Sequence, residues 1–482
     1  MEHRQYLLGI DVGTTGTKTL LFDSCGKLLG RSYRAYPTHT PAVGRCEQQA
    51  EHWWSAVCET VRDLCIDPEI AQRVSAISLS TQGGTVVPVD DSAAALRPAI
   101  VWNDLRCKDE AADFVQELGD AAQMYEKTGW ALSAGLPAMQ LRWLRDHEPQ
   151  TFARAARFLT VPDYISLMLT GIAAIDPSNA GINQLYDIRR GCYDSALLQF
   201  AGATETQLPT LVRSGEVIGH LTADAAAALG LSERCVLVAG AHDQYAAALG
   251  VGAYQKGDIL IGSGTCWVIT ALDDRPDFSS GLAQSIAATP GAWGSLWSLS
   301  SGGICLDWLR SKIGAGDDYE TINAEVCKRK AAEDGLFFYP FSGRKNGQPL
   351  HRAQFLGLDL LHDRYHLARA VMEGIAFQIV WKLEDFAAKP GPDGLLLTGG
   401  ASKSRVWTQM LADIADLPVR VPAVADASCV GAAILAGIGA GIYPDAAEGC
   451  RRLTAQAQTV YPDPAQSRIY QAAQQRYRAA NE

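Results

Sequence analysis

Two turns rich in glycine and threonine, roughly half a chain apart, constrain the fold of this sequence most strongly. Residues 9–18 read GIDVGTTGTK and residues 257–265 read GDILIGSGT. Each begins with an apolar run of β-forming residues, and a second extended run follows the turn, so we predict two β-hairpins. Backbone N–H groups in such turns can point at a phosphate. Together the two turns suggest a divided phosphate clamp.

Neither turn carries one of the two best-known nucleotide loops. A Walker loop requires GxxxxGK[ST] and the dinucleotide fingerprint requires GxGxxG, and the sequence contains neither string. In the first turn, Gly13 and Gly16 allow backbone conformations that bulkier residues avoid, and Thr14, Thr15 and Thr17 supply hydroxyls. Because an ordinary hairpin could use the same residues, either turn alone is weak support for phosphate binding.

The composition is that of a globular protein with more than one core. Of the 482 residues, 48% are hydrophobic and 20% are charged, so the chain can bury sizeable cores in at least two domains. The formal net charge of −11 argues against a nucleic acid or an anionic membrane as partner, because both would repel it. The twelve cysteines include no CxxC pair, so we predict neither a zinc site nor a disulfide framework.

The sequence also argues against a membrane span. Residues 1–5 have no apolar region of the kind found in signal peptides. The apolar stretch 431–443 is too short and too rich in glycine to cross a bilayer. We therefore expect a cytoplasmic protein.

Strands and helices alternate along the chain, which is typical of α/β domains. Residues 257–274 repeat the pattern of residues 6–24, namely a strand, a Gly/Thr turn, a second strand and an acidic turn. This faint repeat predicts two similar halves with a ligand cleft between them. Residues 395–414 read as a strand, a Gly-Gly turn and a helix that begins near Ser402 or Ser404.

With these motifs in place, the whole chain resembles the FGGY family of carbohydrate kinases. Residues 353–374, AQFLGLDLLHDRYHLARAVMEG, match the C-terminal signature of that family in order and spacing. Residues 135–149 match its N-terminal signature less well, since Gln140 stands where the family usually has lysine. The resemblance implies an α/β fold of two duplicated ribonuclease-H-like, actin-type ATPase domains with an interdomain cleft. We expect a sugar- and phosphate-binding domain over 1–241 and a nucleotide-binding domain with the catalytic aspartate over 242–482.

The resemblance also implies the chemistry, which is phosphoryl transfer from ATP with Mg²⁺. Asp243 stands at the catalytic position of the family, where it would act as general base and align the attacking hydroxyl. Asp11, together with Asp243, would position Mg²⁺ through water. From the residues alone, Asp243 could instead cap a helix and Asp11 could be an ordinary hairpin residue.

The same resemblance implies an ATP site with contributions from both halves. Thr14, Thr15 and Lys18 would meet the terminal phosphates from one domain, and Gly264 and Thr265 from the other. Closure of the domains would then exclude water. The full set of expected ATP positions is Gly13, Thr14, Thr15, Thr17, Lys18, Gly264, Thr265, Gly303, Asp307, Gly400, Ala401 and Ser404.

The identity of the sugar is less constrained. The expected substrate-binding positions are Gln82, Trp102, Asn103, Asp104, Asp243 and Gln244. Gly83 and Gly84 stand where glycerol kinases carry an Arg-Glu pair, which argues against glycerol. The Met-His-Gly run of xylulokinases is also missing, although residues 102–107, WNDLRC, resemble their Trp-Asn-Asp-Gly-Arg segment. We predict a ketopentose such as D-xylulose, with ribulose, a hexulose, gluconate or another polyol as alternatives.

Several other residues in or near these motifs have simpler expected roles. The loop 341–355 departs from the Glu-Arg-Thr-Pro loop of xylulokinases, and we expect its Arg344 and Lys345 to be solvated charges. We expect His242 to point away from the sugar, because adjacent strand residues face opposite sides. Trp53 and Trp54 are predicted to pack in a core or between domains and not to stack on the sugar.

Two functions of a different class fit the same fold. One is a non-catalytic sugar or nucleotide sensor, and the other is a chaperone-type or filament ATPase that needs no sugar. The intact Asp243 and the kinase signature argue against both. The expected partner is a small sugar, with a homodimer also compatible with the sequence.

Overall fold

The computed structural model describes residues 5–314, 316–332, 335–341, 344–345, 348–349, 352–424, 426–454 and 457–480. Several positions of the loop 341–355 therefore lie outside the described residues, as do the side chains of Arg344 and Lys345. Their assignment as solvated charges stays a prediction.

The described strands are short to medium in length. They are β1 (Tyr6–Val12), β2 (Gly16–Asp23), β3 (Leu28–Ala35), β4 (Glu47–Gln48), β5 (Val74–Thr81), β6 (Val86–Val89), β7 (Ala99–Ile100), β8 (Arg157–Thr160), β9 (Ala174–Ile175), β10 (Tyr186–Asp187), β11 (Cys192–Tyr193), β12 (Thr210–Leu211), β13 (Val217–His220), β14 (Val236–His242), β15 (Ile259–Ser263), β16 (Trp267–Asp273), β17 (Ala283–Ile286), β18 (Trp293–Leu299), β19 (Phe337–Tyr339), β20 (Arg344–Lys345), β21 (Gln348–Pro349), β22 (Gln354–Leu356), β23 (Leu395–Gly399), β24 (Val419–Pro422) and β25 (Ala457–Val460).

The helices alternate with these strands, as the sequence pattern predicts. They are α1 (Ala50–Leu64), α2 (Pro68–Ala71), α3 (Lys108–Leu118), α4 (Ala121–Thr128), α5 (Pro137–His147), α6 (Pro149–Arg154), α7 (Val161–Thr170), α8 (Pro177–Ile182), α9 (Ser195–Ala201), α10 (Ala223–Leu229), α11 (Asp243–Gly250), α12 (Gly303–Trp308), α13 (Tyr319–Val326), α14 (Arg364–Leu383), α15 (Arg405–Ala415), α16 (Ala427–Gly439), α17 (Ala446–Leu453) and α18 (Pro464–Ala479). None of the helices in the described part of the chain combines the length and apolar character that a membrane crossing needs.

The chain divides into two compact units, and both are discontinuous in sequence. The first unit comprises Met1–Gln255, Asp274–Gly294 and Val424–Ala455. The second comprises Lys256–Asp273, Ser295–Ala423 and Gln456–Glu482. These units do not follow a single cut in the chain, and the domain boundary expected between 241 and 242 stays a prediction.

The two main sheets share one strand order. In the first unit the order is β3-β2-β1-β5-β14-β13, in which β1, β5 and β14 are parallel and the flanking pairs β1/β2 and β13/β14 are antiparallel. Six neighbouring strands of the other, seven-stranded sheet have the order β18-β16-β15-β23-β24-β25, which repeats this pattern, with β15, β23 and β24 parallel. The repeat predicted from the two Gly/Thr hairpins is therefore present in the topology.

The first sheet is covered by helices that bury an apolar core. Trp53 of α1 is fully buried and makes an edge-to-face contact with Tyr164, at 6.0 Å between ring centroids. Trp54 is partly buried against the same core. The prediction that both tryptophans pack in a core is confirmed.

Candidate active site

The carboxyl ends of the parallel strands β1, β5 and β14 lie at one edge of the first sheet. Val12 and His242 both pair with Thr81, so the three strands end at the same level. Ligands of open α/β sheets bind at such an edge. Asp11 lies one residue before the end of β1, and Asp243 follows β14 directly.

Asp11 is a partly buried carboxylate whose position is fixed by a neighbouring hydroxyl. Its Oδ1 atom accepts a hydrogen bond of 2.8 Å from the Ser80 hydroxyl on the neighbouring strand. Burial, and then the charge of Asp243, raise the pKa of Asp11 to about 6, while Ser80 and Lys18 oppose the rise. The structure therefore brings together Asp11, Asp243 and Lys18, which the sequence assigned to one site.

Asp243 is the first residue of α11, and its side chain is 34% exposed. The N-cap position belongs to His242, and Asp243 makes its hydrogen bond with the neighbouring side chain, since Gln244 Nε2 donates to Oδ1 at 3.2 Å. A partly exposed carboxylate at this edge can accept a proton from a bound hydroxyl.

Lys18 faces Asp11 across the first hairpin and is paired with an acidic residue from a distant part of the chain. Its Nζ atom lies 3.3 Å from Oδ1 of Asp426, whose Oδ2 is 2.8 Å from Nε of Arg31. Burial lowers the pKa of Lys18, but the Asp11 and Asp426 carboxylates outweigh burial, so the pKa is raised. Lys18 is therefore a permanent positive charge at this edge.

Asp426 reaches Lys18 because α16 packs directly on β1. A Cβ atom at Gly9 would lie 1.9 Å from the carbonyl oxygen of Cys429, so only glycine permits this approach. The sequence analysis did not identify Asp426, which has no motif around it.

The first hairpin turn links expected ATP and sugar positions. The Thr14 hydroxyl donates to Oε1 of Gln82 at 3.0 Å and accepts from Nε1 of Trp102 at 3.2 Å. Gln82 is almost fully buried, and its Nε2 donates to Oε1 of Gln48 at 3.0 Å. Gln48 in turn donates to the Thr14 carbonyl oxygen at 2.6 Å. This ring of contacts orients Thr14, Gln82 and Trp102, and Gln48 is a member that sequence reasoning missed.

The other predicted turn residues differ in exposure. The Gly13 N–H donates to the Gly16 carbonyl oxygen at 3.1 Å, which closes the turn. Thr15 is exposed, whereas Thr17 lies inside β2 with no exposed surface. Thr15 is thus available to a ligand in this conformation, and Thr17 is not.

In the segment 102–104, WND, two side chains are exposed and the third is buried. Trp102 is 47% exposed, and Asn103 is exposed. Asp104 is fully buried, and its Oδ2 atom accepts a hydrogen bond of 2.7 Å from Nη2 of Arg106. Asp104 therefore shapes the turn that displays Trp102 and Asn103, and its carboxylate is already occupied.

His242 lies against residues 82–84, which we call the sugar loop because Gln82 is an expected substrate-binding position. This placement is contrary to expectation. A Cβ atom at Gly83 would be 2.7 Å from Cδ2 and 3.0 Å from Nε2 of the His242 ring. The alternation argument fails because β14 ends at His242 and α11 begins at the next residue.

In the second unit, three backbone segments with expected ATP positions meet. The Gly303 N–H donates to the Gly264 carbonyl oxygen at 3.1 Å, and the Gly400 N–H donates to that of Ser263 at 2.6 Å. A Cβ atom at Gly303 would lie 2.5 Å from the Gly264 oxygen. Gly264, Thr265 and Gly400 are exposed, so their backbone can approach a ligand closely. This exposed, side-chain-poor surface fits a nucleotide.

The remaining ATP positions have partners within the second unit. Ser404 caps α15, accepting from the Trp407 N–H at 3.1 Å, and donates to Oδ1 of Asn323 at 2.7 Å. Ala401 is buried, and its N–H donates to the Ser263 hydroxyl at 3.1 Å. The Asp307 carboxylate is half-exposed and accepts a hydrogen bond from the Tyr319 hydroxyl.

The acidic residues fit Mg²⁺ better than a cation that needs a full set of protein ligands. In the described ranges, no group of three or more His, Cys, Asp or Glu side chains could hold a metal. Asp11 and Asp243 supply two carboxylates, and the charge of Asp243 contributes, after burial, to the raised pKa of Asp11. Mg²⁺ keeps several waters and needs few carboxylates.

Comparison with known proteins decides the family. The profile of the N-terminal domain of the FGGY family of carbohydrate kinases matches residues 6–250, and that of the C-terminal domain matches residues 258–440. The chain belongs to this FGGY family. The predicted enzyme class, a xylulokinase-like carbohydrate kinase, is confirmed.

FGGY kinases with several substrates are similar to this chain. The L-xylulose/3-keto-L-gulonate kinase of Escherichia coli strain K12 is 30% identical over 491 residues, covering 98% of this chain and 96% of the relative. The gluconokinase of Bacillus subtilis strain 168 is 29% identical over 449 residues, covering 89% and 86%. The solved xylulose kinase from Rhodospirillum rubrum has a TM-score of 0.92 at 28% identity, covering 99% and 98%. The predicted duplicated α/β fold is confirmed.

Gln140, which stands where the FGGY signature usually has lysine, contacts three backbone carbonyl oxygens. Gln140 is fully buried on α5, and its Nε2 contacts the carbonyl oxygens of Gly135, Gly84 and Val101 at 2.8, 3.2 and 3.4 Å. Gly84 has a φ of +71°, which favours glycine. Gln140 therefore ties the sugar loop to the segments before Trp102 and before α5.

Proposed function

We propose that this FGGY kinase transfers the γ-phosphoryl group of ATP, with Mg²⁺, to a hydroxyl of a ketopentose such as D-xylulose. The observation that carries the proposal is that Asp243 and Asp11, both partly buried, lie together at the carboxyl edge of the sheet. Xylulose kinases among the relatives support the ketopentose, as does the WNDLRC segment.

Asp243 has the two tasks that a general base needs to perform. Its carboxylate accepts the proton of the attacking hydroxyl, and by that hydrogen bond it aligns the oxygen with the γ-phosphorus. The hydrogen bond from Gln244 Nε2 to Oδ1 orients the carboxylate. Loss of this carboxylate should therefore lower kcat more than it changes sugar binding.

Asp11 would hold Mg²⁺ with Asp243, largely through water. When bound, Mg²⁺ supplies positive charge that neutralises the phosphates. The Ser80 hydroxyl holds the Asp11 carboxylate in one orientation. Lys18, Thr14 and Thr15 would meet phosphate oxygens.

The sugar would contact the surface formed by Gln82, Trp102 and Asn103. Trp102 is half-exposed and offers an aromatic face, and Asn103 offers an amide with donors and acceptors. Gly83 and Gly84 add no side chains of their own, and the His242 ring and the Leu136 side chain lie where Cβ atoms at these two positions would be. Asp104 would act indirectly, by holding the turn.

A second candidate acceptor is gluconate. The gluconokinase of Bacillus subtilis is as similar to this chain as the xylulose kinases are, at 29% identity. Turnover rates with ketopentoses and with aldonates separate the two acceptors.

The test is ADP release with Mg-ATP against ketopentoses, ketohexoses, polyols and aldonates. The wild type is compared with Asp243→Asn and with Asp91→Asn, which makes the same chemical change at an exposed loop residue. We expect one ketopentose to stimulate turnover strongly, and Asp243→Asn to lower kcat by about 10² to 10⁴-fold. Activity that survives in Asp243→Asn, or a wild type that no sugar stimulates, would contradict the proposal.

A further inference from the structure

Residues from outside the first Gly/Thr turn hold the carbonyl groups of that turn. The Tyr36 hydroxyl donates to the Gly13 carbonyl oxygen at 2.5 Å. Gln48 Nε2 donates to the Thr14 carbonyl oxygen at 2.6 Å, and the Tyr36 N–H donates to that of Thr15 at 3.3 Å. Three successive carbonyl groups of the turn are therefore occupied.

Two amide groups of the same turn have no such partner. Within the described ranges, the N–H groups of Thr14 and Thr15 donate to no protein atom. Thr14 is partly buried and Thr15 is exposed. Because backbone polar groups of folded proteins are nearly always paired or solvated, these two amides are available to water or to a ligand.

The planar peptide bond relates the occupied carbonyls to the available amides. The carbonyl of one residue and the N–H of the next lie in one plane and point in opposite directions. Because Tyr36 holds the Gly13 carbonyl, it also fixes the direction of the Thr14 N–H. Gln48 fixes the Thr15 N–H in the same way, through the Thr14 carbonyl. Successive N–H groups presented by a turn form a concave site for an anion.

The hairpin places Tyr36 close enough to reach the turn. Tyr36 directly follows β3, whose last residue Ala35 pairs with Gly16. A Cβ atom at Gly16 would lie 2.5 Å from the Arg34 carbonyl oxygen and 2.6 Å from Cε2 of Tyr33, so glycine permits this approach. Tyr36 is only 8% exposed, so water does not readily replace its hydroxyl.

We propose that Tyr36 is a positioning residue, which aims the Thr14 N–H at a terminal phosphate of ATP by holding the Gly13 carbonyl. This inference rests on the proposed ATP-dependent function and deepens it. It assigns the orientation of the phosphate turn to a side chain outside the Gly/Thr motif. In this role Tyr36 acts through the backbone of the turn and not by contact with ATP.

The first test measures by calorimetry how Mg-ATP and AMP bind to the wild type and to Tyr36→Phe, without sugar. Tyr36→Phe keeps the buried ring and removes only the hydroxyl that donates to Gly13. We expect the affinity for Mg-ATP to fall about threefold to tenfold, the range of one hydrogen bond. The affinity for AMP should stay as in wild type, because AMP lacks the terminal phosphates.

Tyr193→Phe is the matched control for this change. The Tyr193 hydroxyl also donates to a backbone carbonyl oxygen, that of Pro209, at 2.7 Å. Its loss should lower the thermal stability of the protein by a similar amount and leave the affinities for both nucleotides unchanged. A purely structural role of Tyr36 would give the same result as the control.

A third variant relates the size of the effect to burial. The Tyr33 hydroxyl donates to the Thr15 carbonyl oxygen at 3.3 Å, and Tyr33 is 43% exposed. Because water can replace this hydroxyl, Tyr33→Phe should weaken Mg-ATP binding less than Tyr36→Phe does. In turnover assays, Tyr36→Phe should lower kcat/KM for Mg-ATP and leave the KM for the sugar unchanged.

Three results would overturn the proposal. In the first, Tyr36→Phe binds Mg-ATP as tightly as the wild type does. In the second, its affinities for Mg-ATP and AMP fall by the same factor, which would place the effect on the nucleoside or on overall stability. In the third, Tyr33→Phe weakens Mg-ATP binding more than Tyr36→Phe does. A wild type that does not bind Mg-ATP, or that no sugar stimulates, would instead contradict the kinase function itself, so the two failures are distinguishable.

Discussion

The side-chain amide of Gln140 donates a 2.8 Å hydrogen bond to the carbonyl oxygen of Gly135, and the same nitrogen contacts the carbonyl oxygens of Gly84 and Val101. These carbonyls belong to the segments around the proposed sugar site. One buried nitrogen therefore couples the positions of the sugar loop and of the backbone before Trp102.

Replacing this nitrogen should loosen the sugar site. Gln140→Met keeps the volume but leaves three buried carbonyls without their donor, so we expect a loss of about 1–3 kcal/mol in stability and a higher KM for the sugar. Gln140→Lys restores N–H donors and should keep a sugar KM close to wild type. Steady-state kinetics measure the sugar KM of both variants, and thermal unfolding measures their stability. Gln123→Met, at an exposed position, is the control. Equal sugar KM values in all four proteins would rule out a positioning role.

The Lys18 ammonium should matter for ATP rather than for sugar. Because Asp11 and Asp426 raise its pKa, Lys18 is charged throughout the working range of pH. We expect Lys18→Met to lower kcat/KM for Mg-ATP at least about tenfold, as loss of a charge-assisted contact to phosphate would. The KM for the sugar should stay near wild type. Lys27→Met at an exposed position is the control, and an unchanged kcat/KM for ATP would remove Lys18 from the phosphate site.

Ser404 should prove to be a helix cap more than an ATP ligand. Its hydroxyl caps α15 and is already bonded to Asn323, and the residue is 8% exposed. Ser404→Ala should therefore destabilise the protein by about 1 kcal/mol and change the KM for ATP less than twofold. Ser404→Thr, which keeps a capping hydroxyl, should recover most of the stability. A raised KM for ATP at unchanged thermal stability would instead support the ATP role.

Stability should depend on pH through Asp163 in α7. Burial raises the pKa of Asp163 to about 7, although hydrogen bonds from Thr160 oppose the rise. The folded protein therefore binds this proton more tightly than the unfolded chain does. The stabilising contribution is complete below the unfolded pKa of about 4 and is lost as pH rises through about 7.

Thermal unfolding at pH 5 and pH 8 checks this assignment. The wild type should lose on the order of 2 kcal/mol relative to Asp163→Asn between these values, because the amide does not titrate. The control is Asp120→Asn, which changes an exposed N-cap residue of α4. Its change in stability between pH 5 and pH 8 should equal that of the wild type. A wild type and an Asp163→Asn variant that respond equally to pH would contradict the assignment.

Much of the local structure was predictable because it depends on neighbouring residues. The hairpin at residues 6–23 follows from two β-forming runs around Gly13 and Gly16, and its register pairs Tyr6 with Asp23. The start of α15 at Ser404 follows from its capping hydroxyl. The duplicated sheet order follows from the repetition of one such hairpin in each half.

Tertiary structure alone decided which distant side chains meet. No local pattern connects Lys18 with Asp426, Gln48 with Gln82 or Gln140 with three separate loops, because these contacts depend on how helices and loops pack on the first sheet. The direction of His242 was mispredicted for a related reason, since strand alternation stops where α11 begins. The sequence by itself thus determined the family, the hairpins and the acidic residues, whereas the hydrogen bonds that orient those residues depend on long-range packing, which no short segment encodes.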